Sequence, residues 1–489
     1  MISGGGARSS FELGALQYLY EQGGIAPNII TGTSAGSILA AVIAQYQDPQ
    51  AQLQAVRQLR SLWLAMEDSS DMFTELPWFT KLNEHMPTWR KVMALRNRSR
   101  HRPHRSRSMR LGSDSPPSHG TRAHDSARTH DDGDPDHTPP DHGLAWSVTN
   151  VLDAMSTLWE AGRTSTDLEL ILTGAQQERA AFRPGPIVQQ LTDPDLFVPA
   201  TVAGSGISLR IATVALESGE LRYVDEAGRL RDREDRLLPD HEPVDLIQAV
   251  LASCAIPGVF PPVRLGQEHY VDGGARQSLP LDVATRNLGA QRCYAVVASP
   301  LGLARSESFA EKDMLEIVLR SGFGIMTDEI LTDEVRRARE VGATVIEPEL
   351  DIHDILTVDP GLTLIAMDYG WSRAAEECTG ATAEMRRRTR AVYELRRSIW
   401  SAEDLALRPD HPTENAEDRA RAGARTAGAA GTTAQQTRAA LDQIGELKLQ
   451  LRQLVTEAGP TLLPPQAPTW WRDFEPHPYP VDVEPHWLP

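Results

Sequence analysis

The sequence predicts an α/β fold: a three-layer α/β/α sandwich with a mainly parallel central sheet, a disordered insertion and a helical C-terminal appendage. Three observations predict it. The first 46 residues read as loop, helix, strand, sharp glycine turn and buried helix, the shape of a βαβ unit. Beyond residue 143, β-branched runs alternate with helical stretches. Between those regions, residues 96–143 lose all apolar periodicity.

Phe11, Leu13, Leu16, Leu19 and Tyr20 recur at helical spacing, and Gly23-Gly24 followed by Pro27 stops that helix. Asn28 to Thr31 is a β-branched strand, and Ser37 to Tyr46 is a helix apolar almost all round. A βαβ unit needs a strand before its first helix, and only Met1-Ile2-Ser3 stands there. The expectation is therefore an upstream apolar strand, or a sheet lacking one member. Strands are further expected at Leu168–Thr173, Leu209–Leu216 (with a hairpin partner at Gly219–Val224), Glu268–Val271, Cys293–Ala298 and Val341–Glu347. Helices are expected at Asp245–Cys254, Thr332–Glu340, Ser372–Trp400 and around Leu441–Val455. The expected organisation is a catalytic domain over 1–95 and 144–300, an insertion over 96–143 and an α/β extension over 301–408. A linker over 409–436 then leads to a helix and extended tail over 437–489.

Composition bounds the function. A formal net charge of −18 over 489 residues excludes a general nucleic-acid binder. Three widely spaced cysteines, Cys254, Cys293 and Cys378, offer neither a disulfide framework nor zinc spacing, which points to a reducing, cytoplasmic setting. The first residues lack the basic start and apolar core of a signal peptide, so any membrane contact is expected to be peripheral. Half of the fourteen histidines fall in 96–143, where flexible His without ordered partners binds metal poorly and an Arg-rich run could meet phosphate or lipid headgroups.

Gly32-Thr33-Ser34-Ala35-Gly36 matches the G-x-S-x-G elbow, in which glycines let the chain turn from strand to helix and hold a serine outward at the helix N-terminus. The alternative is an ordinary tight turn before a helix. Gly4-Gly5-Gly6-Ala7-Arg8 can aim several N–H groups at one point, as a tetrahedral oxyanion requires. It lacks the Lys-Ser/Thr of a phosphate loop and the later acidic residue of a dinucleotide fold, although a flexible N-terminus remains an alternative. Asp272-Gly273-Gly274 follows a short strand and would present a carboxylate, or simply turn a hairpin. His269 is a competing base.

Together these residues resemble the patatin-like phospholipases, as does the stretch Ala252 to Pro262 ahead of the aspartate. The resemblance implies a serine–aspartate dyad without histidine: Ser34 as nucleophile and Asp272 as base. It also implies an oxyanion hole from the Gly4, Gly5 and Gly6 loop with Arg8 in support. The general elbow geometry adds Ala35 N–H as a donor, with Gly32, Gly36, Gly273 and Gly274 as turn residues. The implied reaction is hydrolysis of a phospholipid or lysophospholipid acyl ester, with no metal or organic cofactor. An acyltransferase on the same site and a non-catalytic lipid-binding module are the two alternatives.

Overall fold

The computed structural model describes residues 1–81, 180–239, 241–303, 305, 308–309, 317, 319–408, 430–481, 483–485 and 487. The expected insertion at 96–143 and strand at 168–173 lie outside them. One compact unit comprises Met1–Leu76 and Arg179–Pro489; of the other, Pro77–Glu178, only residues 77–81 are described, and they are helical.

The N-terminal elements follow the apolar pattern. They are α1 (Ser9–Glu21), β1 (Ile29–Thr33), α2 (Ala35–Ile43, buried throughout) and α3 (Pro49–Leu64), the last capped by the Asp48 side chain. A small ribbon pairs β2 (Phe73–Glu75) with β3 (Phe182–Pro184). β4 (Ser208–Ala215), β5 (Leu221–Asp225) and β6 (Leu230–Arg231) form an antiparallel meander. After α4 (Leu246–Ser253), β7 (Val263–Leu265) and β8 (Glu268–Asp272) make a second hairpin. β9 (Tyr294–Val296) and β10 (Thr344–Ile346) pair in parallel, joined through α5 (Thr327–Glu340).

The architecture is α/β, but the sheet is mixed rather than mainly parallel. Four strand pairs are antiparallel, against parallel pairs β1–β4 and β9–β10. The reason is local: β4–β5–β6 and β7–β8 are joined by turns too short for the crossover that parallel strands need. Before α1, where a strand is expected, the chain makes isolated bridges. Ile2 bridges both Gly32 and Val296 in parallel sense, with Ile2 N–H on Thr31 O (2.9 Å) and Ser3 N–H on Val296 O (3.0 Å). Three residues carry too little pattern to announce a strand.

The long helix expected at Ser372–Trp400 is two helices, α6 (Pro360–Thr379) and α7 (Ala383–Leu407). Gly380 takes the left-handed conformation (φ 66°) that ends the first, and the Thr382 side chain caps the second. The final helix, α8 (Ala430–Ala458), begins inside the stretch read as linker. The tail after it is anchored: the fully buried Arg396 pairs with Asp368 and Glu475 (2.8 Å each) and lies over the Trp470 ring. Such a network costs desolvation but fixes one arrangement of helices and tail. Among the described residues no helix is long and apolar enough to cross a membrane.

Candidate active site

β4 brings the elbow and the aspartate together. Its first half pairs with β1 in parallel, ending at Thr33 opposite Ala212. On the same edge its second half pairs with β8 in antiparallel sense, ending at Asp272 opposite Thr213. Two strands thus run head-on along one edge of β4, and their last residues face consecutive residues of it. Ser34 and Asp272, far apart in sequence, become neighbours because Ala212 and Thr213 are.

Ser34 sits in the turn between β1 and α2 with φ 53° and ψ −133°, a backbone conformation that side chains rarely adopt. Its N–H donates to Ser253 Oγ (2.9 Å), and its carbonyl accepts from the Ser37 hydroxyl (2.6 Å). Both Ser34 and Asp272 are only 6% exposed. Burial pushes the Asp272 carboxyl up to about 6, and the facing Ser34 side chain and the Gly274 N–H (2.7 Å from Oδ1) partly offset this. A carboxylate poised there loses its proton just below neutrality, which suits a general base.

The glycine loop abuts the serine. A Cβ on Gly4 would lie 2.9 Å from Ser34 Cβ and 3.7 Å from its Oγ. In this loop the Ala7 N–H is taken by Ile355 O and the Arg8 N–H by Gly5 O. Among the described residues no protein acceptor engages the Gly5 and Gly6 amides, and Ala35 N–H is one of the free donors of the α2 N-terminus. Arg8 points elsewhere: its guanidinium binds the Asp351 carboxylate (2.9 Å from Nε), His353 O and Ser299 Oγ, so it braces the loop from behind. His269 lies about 10 Å down β8 from Asp272, hydrogen-bonded to Glu217 (2.7 Å).

Gly36 shows how tightly elbow and loop meet, because a Cβ there would lie 2.2 Å from Ser3 O. Gly36→Ala is expected to cost about 1–3 kcal/mol through this overpacking, read as a lower urea midpoint.

Sequence reasoning missed three supports. Ser253 holds the Ser34 backbone. Glu12, a carboxyl fully buried in α1, accepts from Ser3 Oγ (3.1 Å), which in turn accepts the Ala298 N–H (2.9 Å); burial holds its pKa well above the usual range. An acid set between the apolar Phe11 and Leu13 was the available signal. The third is the loop around Ile355, reachable only through the fold.

Residues 1–285 match the family described as patatin-like phospholipase. The chain belongs to that family. Membership carries lipid acyl hydrolysis as the general activity. Among solved structures, the crystal structure of VipD from Legionella pneumophila matches at 14% identity and a TM-score of 0.31, over 96% of this chain and 90% of that one. No curated protein matches. In this patatin-like chain an apolar cavity of about 140 Å³ opens beside Ser34 and Ala35, walled by Ile38, Trp63, Phe73, Phe260 and Leu356. A larger cavity, about 610 Å³, lies at the opposite end of β1 around Met1, Tyr20 and Cys293, and none of the predicted site residues lines it.

Proposed function

We propose that this chain is a serine hydrolase of phospholipid or lysophospholipid acyl esters, working through a Ser34–Asp272 dyad. The observation that carries the reading is the meeting of the two residues at Ala212–Thr213. Ser34 Oγ attacks the ester carbonyl carbon while Asp272 takes its proton. The carbonyl oxygen becomes the oxyanion, held by the amides of Gly5, Gly6 and Ala35 and favoured by the α2 dipole. The C–O bond to the alcohol then breaks, and the departing oxygen takes the proton from Asp272. Water, deprotonated by Asp272, attacks the acyl-serine; collapse releases the fatty acid and returns the proton to Ser34. The apolar cavity receives the first part of the acyl chain, where burial of methylenes stabilises the complex. The dyad would sit in a three-layer arrangement, in a cytoplasmic protein meeting its substrate at a membrane surface.

The reading is tested by the pH dependence of p-nitrophenyl acyl ester hydrolysis. Because Asp272 must be ionised to accept the proton, kcat/KM should rise with pH through a single step near 6 and level above it. A profile flat between pH 5 and 8 would remove Asp272 from the role of base.

A further inference from the structure

The segment Ser253–Ala255 touches both members of the dyad. Ser253 ends α4 and is fully buried. Its hydroxyl uses both of its capacities: it accepts the Ser34 N–H at 2.9 Å and donates to Ala212 O at 2.7 Å. Two residues on, Ala255 O accepts the Asp272 N–H at 2.9 Å. The same short stretch therefore ties the backbone of the nucleophile, the backbone of the base and the strand that aligns them.

We infer that Ser253 is a positioning residue for the reaction, the pin of a splint that holds Ser34 in its strained conformation and sets its distance to Asp272. The inference rests on the dyad reading above. Its physical ground is the Ser34 backbone. At φ 53° that residue gains by relaxing toward an ordinary conformation, and relaxation would swing Oγ away from the carboxyl. The hydrogen bond from Ser34 N–H opposes this rotation directly. It also commits that amide to the fold, so the oxyanion donors must come from Ala35 and the glycine loop. Removing the hydroxyl leaves a buried N–H without its acceptor and a carbonyl without this donor, which favours movement of the elbow.

The test compares Ser253→Ala and Ser253→Thr with the unmodified chain, with Ser34→Ala measured alongside. Ser253→Ala should lower kcat by about 10- to 100-fold with KM changed less than about threefold. The rate of fluorophosphonate labelling of Ser34 should fall in parallel. Ser253→Thr, which restores a hydroxyl, should recover most of both. If Ser253→Ala does not fold, Ser253→Cys, similar in shape but a weaker hydrogen-bonding group, should show at least a tenfold loss. Wild-type kcat and labelling in a folded Ser253→Ala or Ser253→Cys overturn the inference, as does loss of kcat in Ser253→Ala that Ser253→Thr does not recover. Should Ser34→Ala keep its turnover, the dyad itself fails, whatever the Ser253 variants do.

Discussion

Ser34→Ala is expected to lower turnover of a p-nitrophenyl acyl ester by on the order of 10⁴-fold or more, because the proposed acyl intermediate forms on its hydroxyl. The residue that remains would still bind substrate, so KM should change little. The loss should come with little loss of stability: alanine keeps the same backbone, and what is given up is the hydroxyl's contact with the Asp272 carboxyl. Ser34→Gly separates chemistry from strain. Glycine accepts positive φ freely, so this variant should be equally inactive yet more stable by about 1 kcal/mol, strain relief exceeding the entropy glycine adds to the unfolded chain. Urea unfolding of the three proteins measures the difference. Equal stability of Ser34→Gly and the unmodified chain would mean that the elbow stores no strain.

Asp272→Asn should be as damaging, by on the order of 10³-fold or more, since the amide cannot take the proton of Ser34. Its effect on stability has the opposite sign and a defined pH dependence. The folded-state pKa of Asp272 lies at about 6, above the ordinary 3.8. Below about pH 4 the group is protonated in both folded and unfolded chains, and the burial of its charge costs nothing. Between about pH 4 and 6 the unfolded chain ionises this group while the folded protein holds its proton, so stability falls by up to about 3 kcal/mol and levels above 6. Asp272→Asn should therefore be more stable than the unmodified chain at pH 8, with the two converging at pH 4. Loss of activity with a stability gain at neutral pH marks a group kept for chemistry rather than for folding.

What the sequence disclosed depended on distance along the chain. The elbow at Ser34 was legible because its strand, turn and helix are contiguous, and every residue needed to recognise it lies between the start of β1 and the end of α2. The hairpin of β4 and β5 was legible for the same reason. Asp272 was reached through the family resemblance, because nothing in its local pattern distinguishes it from a turn; what places it is the pairing of β8 with the far half of β4. That same pairing is why the sheet is mixed, since only an antiparallel β8 can run into the end of β1 on one edge. Ser253 was hidden because a serine closing an apolar helix looks like an ordinary end, and its partners lie far off in sequence, in the elbow turn and in β4. Arg8 was read as a support of the glycine loop, but its partners in the Asp351–His353 loop are contacts no local pattern announces.

The claim that most depends on this geometry is that Ser34 is the group acylated by substrate. Incubation of the full chain with a fluorophosphonate probe, followed by peptide mass mapping, tests it most directly. The account predicts one adduct, on Ser34, forming faster as pH rises through about 6, absent in Ser34→Ala and strongly slowed in Asp272→Asn. An adduct on another residue, or ester hydrolysis that persists while Ser34 stays unlabelled, would contradict it.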